Sequence, residues 1–236
     1  MRIFLNPKKV SLFFLVIVIL LTVANIANFL VAFYYFGRTD ISSGYFSIFN
    51  LDAEQNIPTL YASISILFCS LLLGLIAYVK RESGEHNYLF WLGLALVFLF
   101  LSVDESSVLH NYLSAPLRKR GASGLLYNAW IIPVGIALLI FVLIYLKFLF
   151  QLPRKTMILF IVSGAIYVSG AMGIEMIGGL QKDTVGTGNI AYQFMTLFEE
   201  FFEMMGILLF IYTLLSYIDT ELDDLSISVK SKVQIM

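Results

Sequence analysis

The chain alternates between long apolar segments and short polar connections. Crossing the hydrocarbon core of a bilayer takes about 20 consecutive apolar residues as a helix. Six segments meet that length, at approximately 11–36, 58–79, 88–109, 126–150, 155–179 and 190–218. The first is too long for the apolar region of a secretory signal, which has about 7–15 residues. The pattern predicts an all-α polytopic membrane helix bundle of about six transmembrane helices, over residues 1–218, followed by a polar cytoplasmic tail at 219–236.

The composition supports this fold class. Hydrophobic residues make up 59% of the chain and charged residues 13%, and the mean hydropathy is +0.87. Soluble domains have about 25% charged residues. A net charge of −1 gives no sign of nucleic-acid binding, and the single cysteine, Cys69, excludes an intrachain disulfide.

The positions of lysine and arginine predict the orientation of the bundle. With the N-terminus inside, ten of the fifteen basic residues fall on the inner side and five on the outer side. Cytoplasmic loops carry the excess of basic residues, so both termini are expected in the cytoplasm. The cluster Arg118–Arg120 is the exception to this count.

Six carboxylates lie inside the apolar segments. A charge at bilayer depth costs between about 3 and more than 10 kcal/mol, so such residues mark functional sites. In the predicted orientation all of them fall in the outer half of the membrane. They are Asp104 and Glu105 in the third segment, Glu175 in the fifth, and Glu199, Glu200 and Glu203 in the sixth.

The sixth segment carries its three glutamates on one polar stripe. At 100° per residue, the stripe that begins at Tyr192 and ends at Glu203 covers an arc of about 120°. Three neighbouring carboxylates cannot all stay ionised in a low dielectric without protons or metal ions to neutralise them. The alternative is a set of protonated glutamates that only fixes helix packing.

The third segment adds one imidazole to this set. Carboxylates with a histidine suit a divalent Fe, Mn, Zn or Mg ion. On an ideal helix Asp104 and His110 point about 120° apart, so the helix ends or breaks there, or Asp104 pairs with Asn111. The alternative for His110 is an interfacial residue at a helix end, and the alternative for Glu175 is packing. The predicted metal ligands are Asp104, Glu105, His110, Glu175, Glu199, Glu200 and Glu203.

The first outer loop contributes two further acids, Asp52 and Glu54. Either of them is positioned to fold over the acidic site as a lid. The simpler interpretation is a solvated loop that leads into a helix N-terminus at Pro58.

Three motifs resemble an uncharacterised family of bacterial multipass membrane proteins. They are the DE-x4-H run of Asp104–His110, the GxEMIGG run of Gly173–Gly179 and the EE-x2-EMxG run of Glu199–Gly206. The similarity covers most of the chain. It implies only that acidic residues of this kind recur in the family, which has no established activity. The location expected for the chain is the inner membrane of a bacterium.

These observations lead to three hypotheses. The first is a divalent-metal site within the bundle that acts on a lipid-like substrate, with catalytic residues that are unknown. The second is a proton- or cation-coupled transporter or channel. The third is a non-catalytic subunit of a membrane complex. The expected partners are membrane lipid and either a second copy of the chain or another membrane protein, and no nucleic acid.

Overall fold

The computed structural model describes residues 6–42 and 44–222, which fold into eight α-helices. A π-helical turn at Ser169–Ile174 joins the sixth and seventh helices without a break in direction. Helix α8 continues into the predicted tail as far as Glu221, and residues 223–236 of that tail lie outside the described part of the chain. The helices are α1 (Pro7–Phe36), α2 (Ile57–Glu82), α3 (Tyr88–Ser107), α4 (Asn111–Arg118), α5 (Ile131–Gln151), α6 (Arg154–Val168), α7 (Glu175–Thr184) and α8 (Ile190–Glu221).

Six helices are long and apolar enough to cross a membrane, which confirms the predicted fold class. They are α1, α2, α3, α5, the continuous α6–α7 helix and α8. The third ends at Ser107 rather than at 109, because Val108 adopts a left-handed backbone conformation with φ of 57°. The fourth begins at Ile131 rather than at 126, and the fifth extends to Thr184 rather than ending at 179.

Asparagines define the N-termini of three spanning helices. Asn6, Asn56 and Asn189 each accept a hydrogen bond from the backbone N–H three residues later. These bonds satisfy donors that the first turn of a helix leaves without a partner. Pro7 and Pro58 follow two of these caps, where the missing N–H costs nothing.

Helix α8 is the central element of the bundle. It contacts α1, α2, α6, α7 and the π-helical turn. Two glycines permit the closest approaches. A Cβ on Gly206 would lie 2.7 Å from the backbone nitrogen of Tyr167, and a Cβ on Gly170 would lie 2.7 Å from the backbone oxygen of Glu199. Helix backbones approach this closely in lipid only where small residues line the interface.

The C-terminal half of α8 closes the main hydrophobic core. Ile211 and Leu214 are fully buried there, together with Leu73 of α2 and Trp91 of α3. The Phe210 ring stacks on Phe98 with the ring centroids 4.7 Å apart. The core around these residues is therefore apolar, and the three glutamates Glu199, Glu200 and Glu203 lie nearer the N-terminal end of α8.

Candidate functional site

The three glutamates of α8 converge at one point. Glu199, Glu200 and Glu203 each offer a carboxylate oxygen, and these oxygens lie within 4.8 Å of one another. Residues at i and i+4 share one face of a helix, which explains how Glu199 and Glu203 meet. The predicted polar stripe faces inward, since Tyr192, Gln193, Thr196 and Glu199 are all buried.

Glu105 joins this cluster from α3. Its side chain lines a small cavity together with Glu200, Glu203 and Tyr167. The volume, about 10 Å³, is room for about one water molecule or one bare ion. The rest of the wall comes from α2 and α8: Tyr61, Ala62, Ser65, Ile66, Met204 and Ile207.

Glu175 reaches the cluster from the fifth span. Its carboxyl group lies beside that of Glu199, and the side chain of Trp130 lies near it. The π-helical turn precedes Glu175 directly, and its Gly170 lets α8 approach. Single π-helical turns inside helices are frequent at functional sites. The turn therefore fixes where Glu175 stands relative to α8.

Positive charge is scarce around these carboxylates. The two ion pairs in the described part of the chain join Lys80 to Glu85 and His110 to Asp104, and neither includes a member of the cluster. Glu199 is only 9% exposed, and its Oε2 atom has no hydrogen-bond partner among the described residues. A buried carboxylate oxygen without a donor carries a large desolvation cost unless a proton or a cation reaches it.

Asp104 and His110 form a pair beside the cluster. The backbone N–H of His110 donates to Asp104 Oδ1 at 2.9 Å, and its Nδ1 atom lies 2.9 Å from Asp104 Oδ2. The left-handed residue Val108 ends α3 and turns the chain back, which removes the 120° separation expected on an ideal helix. The sequence alternative of an Asp104–Asn111 pair was wrong, since Asn111 donates to Glu54 at 2.6 Å.

The imidazole of His110 is held in place on both sides. Its ring lies 5.0 Å from the ring of Trp130. Burial lowers the pKa of His110, but the hydrogen bond and the charge of Asp104, with the charges of Glu54 and Glu105, raise it above its ordinary value. The structure thus places Asp104 and His110 next to the cavity but not in its wall.

The loop between α1 and α2 lies against the same end of the bundle. The Tyr192 hydroxyl of α8 donates to Asp52 Oδ1 at 3.1 Å, and Asn25 of α1 accepts a hydrogen bond from the backbone of Leu51. Burial raises the pKa of Asp52, against the opposing effects of Lys182 and Tyr192. Burial also raises the pKa of Glu54, against His110 and Asn111. Both loop acids therefore contact the bundle, Asp52 through Tyr192 as a half-buried group and Glu54 through Asn111 as an exposed one.

Sequence reasoning missed Tyr167 and the role of Trp130. Tyr167 lies in the middle of an apolar span, and a hydroxyl in that position needs a polar partner. That was the available signal for a residue facing the carboxylates. The approach of Trp130 to Glu175 depends on how two connections fold, and no local pattern encodes it.

One family covers nearly the whole chain. Residues 12–218 match the domain of unknown function DUF8692, and the chain belongs to that family. No curated protein matches the chain, and no solved structure does.

Proposed function

We propose that this DUF8692 member is a multipass membrane protein that binds a divalent metal ion inside its helix bundle. Glu200 and Glu203 of α8 and Glu105 of α3 hold the ion in the small cavity, and Glu199 and Glu175 complete the acidic set. The observation that carries the proposal is the convergence of the three α8 carboxylates to within 4.8 Å beside a cavity of one-ion size.

A divalent ion solves the electrostatic problem of this site. Carboxylates this close repel one another in a low dielectric, and the unpartnered Oε2 of Glu199 adds an uncompensated acceptor. An all-oxygen ligand set favours hard ions such as Mg²⁺, Mn²⁺ or Fe²⁺. Zn²⁺ fits such a set less well. His110 is paired with Asp104, so the proposed first ligands are carboxylates.

The ion would supply Lewis acidity and an activated water if the protein is an enzyme for a lipid-like substrate. A glutamate that lines the cavity, such as Glu105, is then placed to accept a proton. The cavity itself has room for the ion and not for a substrate headgroup. A lipid-like substrate would therefore approach from the edge of the cavity and not enter it.

A second candidate is proton binding within a coupled transporter. The contact between the carboxyl groups of Glu175 and Glu199 favours it, because that pair can hold one proton without any metal. The apolar core around Ile211 and Leu214 disfavours a continuous channel, since it blocks the path from the cluster to the far end of α8.

Charge counting supports an orientation for either candidate. Ten of the fifteen lysines and arginines fall on the side of the N-terminus. By the positive-inside rule, the acidic cluster would then lie in the half of the bilayer that faces away from the cytoplasm. In a bacterium, that bilayer would be the inner membrane.

Elemental analysis of the purified protein is the deciding experiment. Wild type should retain about one Mn, Fe or Zn per chain, and a chelator should lower its melting temperature. A ligand present at 100 times its Kd stabilises the folded state by about 2.7 kcal/mol. Glu203→Gln keeps the size of the side chain but removes the charge, so this variant should lose both the metal and the chelator response.

Glu221→Gln is the matched control, because Glu221 is exposed at the end of the same helix. It should keep the metal. Wild-type protein that contains no metal after growth in metal-supplemented medium, and that does not respond to a chelator, would reject metal binding. Proton uptake by the same protein would then favour the second candidate.

A further inference from the structure

A basic groove opens at the opposite end of the fifth span from the acidic cluster. It begins at Arg154, about 30 Å along the helix axis from Glu175 at the usual rise per residue. Its volume is about 620 Å³, and it is open to the surroundings. The groove is lined by Arg154, Lys155, Ile158, Leu159 and Tyr212.

The groove combines two cations with an apolar wall. Arg154 and Lys155 are exposed, and neither takes part in the ion pairs found in residues 6–42 and 44–222. Lys155 Nζ lies 3.4 Å from the hydroxyl of Ser216, a neutral group. Ile158 is 45% exposed one turn further into the span. None of the described residues that line the groove is a carboxylate, so within that part of the chain the two cations have no acidic partner and can bind an external anion.

Position identifies the kind of anion. Arg154 is the first residue of a membrane-spanning helix, and such residues lie at the level of the lipid headgroups. Ile158 and Leu159 follow on the hydrocarbon side, and the amphipathic ring of Tyr212 stands beside them. A soluble phosphate would use the two cations but would leave the apolar wall without a partner.

We infer that this groove binds an anionic phospholipid, with its phosphate at Arg154 and Lys155 and an acyl chain along Ile158 and Leu159. Guanidinium groups bind phosphate oxygens through paired hydrogen bonds, and basic pockets between spanning helices hold anionic headgroups on the cytoplasmic side. The proposed orientation places the groove on that side. The inference does not depend on the metal site.

Native mass spectrometry of the purified protein tests the inference. The protein in detergent is titrated with phosphatidylglycerol or with phosphatidylcholine of the same chain length. Wild type should bind one phosphatidylglycerol with about 10-fold or greater preference. The double variant Arg154→Gln/Lys155→Gln should bind the two lipids equally.

Lys8→Gln/Lys9→Gln is the matched control. Both lysines are at the start of α1, a span that begins on the same side of the membrane, and neither lines the groove. This control should keep the preference of wild type. The inference is overturned by equal binding of both lipids to wild type, by an unchanged preference in the Arg154/Lys155 variant, or by an equal loss in the control.

Inorganic phosphate distinguishes a lipid site from a simple anion site. Millimolar phosphate should not displace bound phosphatidylglycerol, because the acyl chain contributes to binding through Ile158. Ile158→Ser should weaken binding of phosphatidylglycerol, although both cations remain. Displacement by phosphate, together with no effect of Ile158→Ser, would reject the lipid as the occupant.

Discussion

Gly206 should be the least replaceable glycine of the bundle, and its replacement tests the packing that forms the cavity wall. A Cβ at this position would lie 2.7 Å from the Cβ and the backbone nitrogen of Tyr167 and 2.8 Å from its Cα. Two of these atoms are backbone, so a side-chain rotation cannot relieve the contact and α6 must move away from α8. Overpacking of this kind costs about 1–3 kcal/mol.

The steric cost of Gly206→Ala can be separated from its gain in helix propensity with a control on the facing helix. Gly164→Ala in α6 meets nothing within 4 Å. Both changes gain a similar helix propensity, about 1 kcal/mol in each case. The difference in unfolding free energy between Gly206→Ala and Gly164→Ala should therefore equal the steric cost, about 1–3 kcal/mol.

Thermal unfolding in detergent, followed by circular dichroism, measures this difference. Gly206→Ala should melt below wild type, and Gly164→Ala should melt at or above it. Equal melting temperatures of the two variants would mean that α6 and α8 do not approach at Gly206. The packing that brings Tyr167 to the carboxylates would then be refuted.

The site and its surroundings support three more predictions. Gly170→Ala should weaken metal binding in a titration with Mn²⁺, because its Cβ would lie 2.7 Å from a backbone oxygen of α8 and displace the glutamates; unchanged affinity would contradict this contact. The pair with Asp104 raises the pKa of His110. The contribution of this pair to the stability of the fold is therefore complete below the ordinary histidine pKa of about 6.5 and is lost as pH rises through the raised pKa. The melting temperature of wild type should therefore fall as the pH rises above about 6.5, and Asp104→Asn should flatten that dependence; an equal slope in both proteins would rule the pair out as its source. Cysteines introduced at Ser42 and Ser83, both exposed, should react with a membrane-impermeant reagent from opposite sides, with Ser42 outside; labelling of both from one side would reject the six-span topology.

The spanning helices could be predicted because lipid imposes a simple length and polarity requirement on each segment. The inward direction of the polar stripe on α8 followed from helical periodicity. Because one turn takes 3.6 residues, polar residues three or four positions apart lie on the same face. Both features are local, and a single chain encodes them without reference to its neighbours. The spacing of four residues is therefore enough to predict that Glu199 and Glu203 lie together.

The features that sequence reasoning missed are not local. The π-helical turn before Glu175 is rich in small residues, but that composition is equally typical of regular helices that pack in membranes. No local pattern indicates that Gly170 rather than Gly173 meets α8. A Cβ on Gly173 would meet nothing within 4 Å, whereas one on Gly170 would clash. Similarly, the pairing of His110 with Asp104 depends on one left-handed residue, Val108, and a β-branched residue is rarely found in that conformation.

The closed end of the bundle bears on the choice between metal binding and transport. Phe210 lies two turns beyond Glu203, stacks on Phe98 with ring centroids 4.7 Å apart, and contacts Phe160 edge to face with ring centroids 4.9 Å apart. A carrier would have to separate these rings to expose the carboxylates to the other side of the membrane. That motion would also have to break the contact at Gly206, where two helix backbones meet without intervening side chains. A site that only binds an ion needs neither change, so the packing beside the carboxylates favours metal binding over transport.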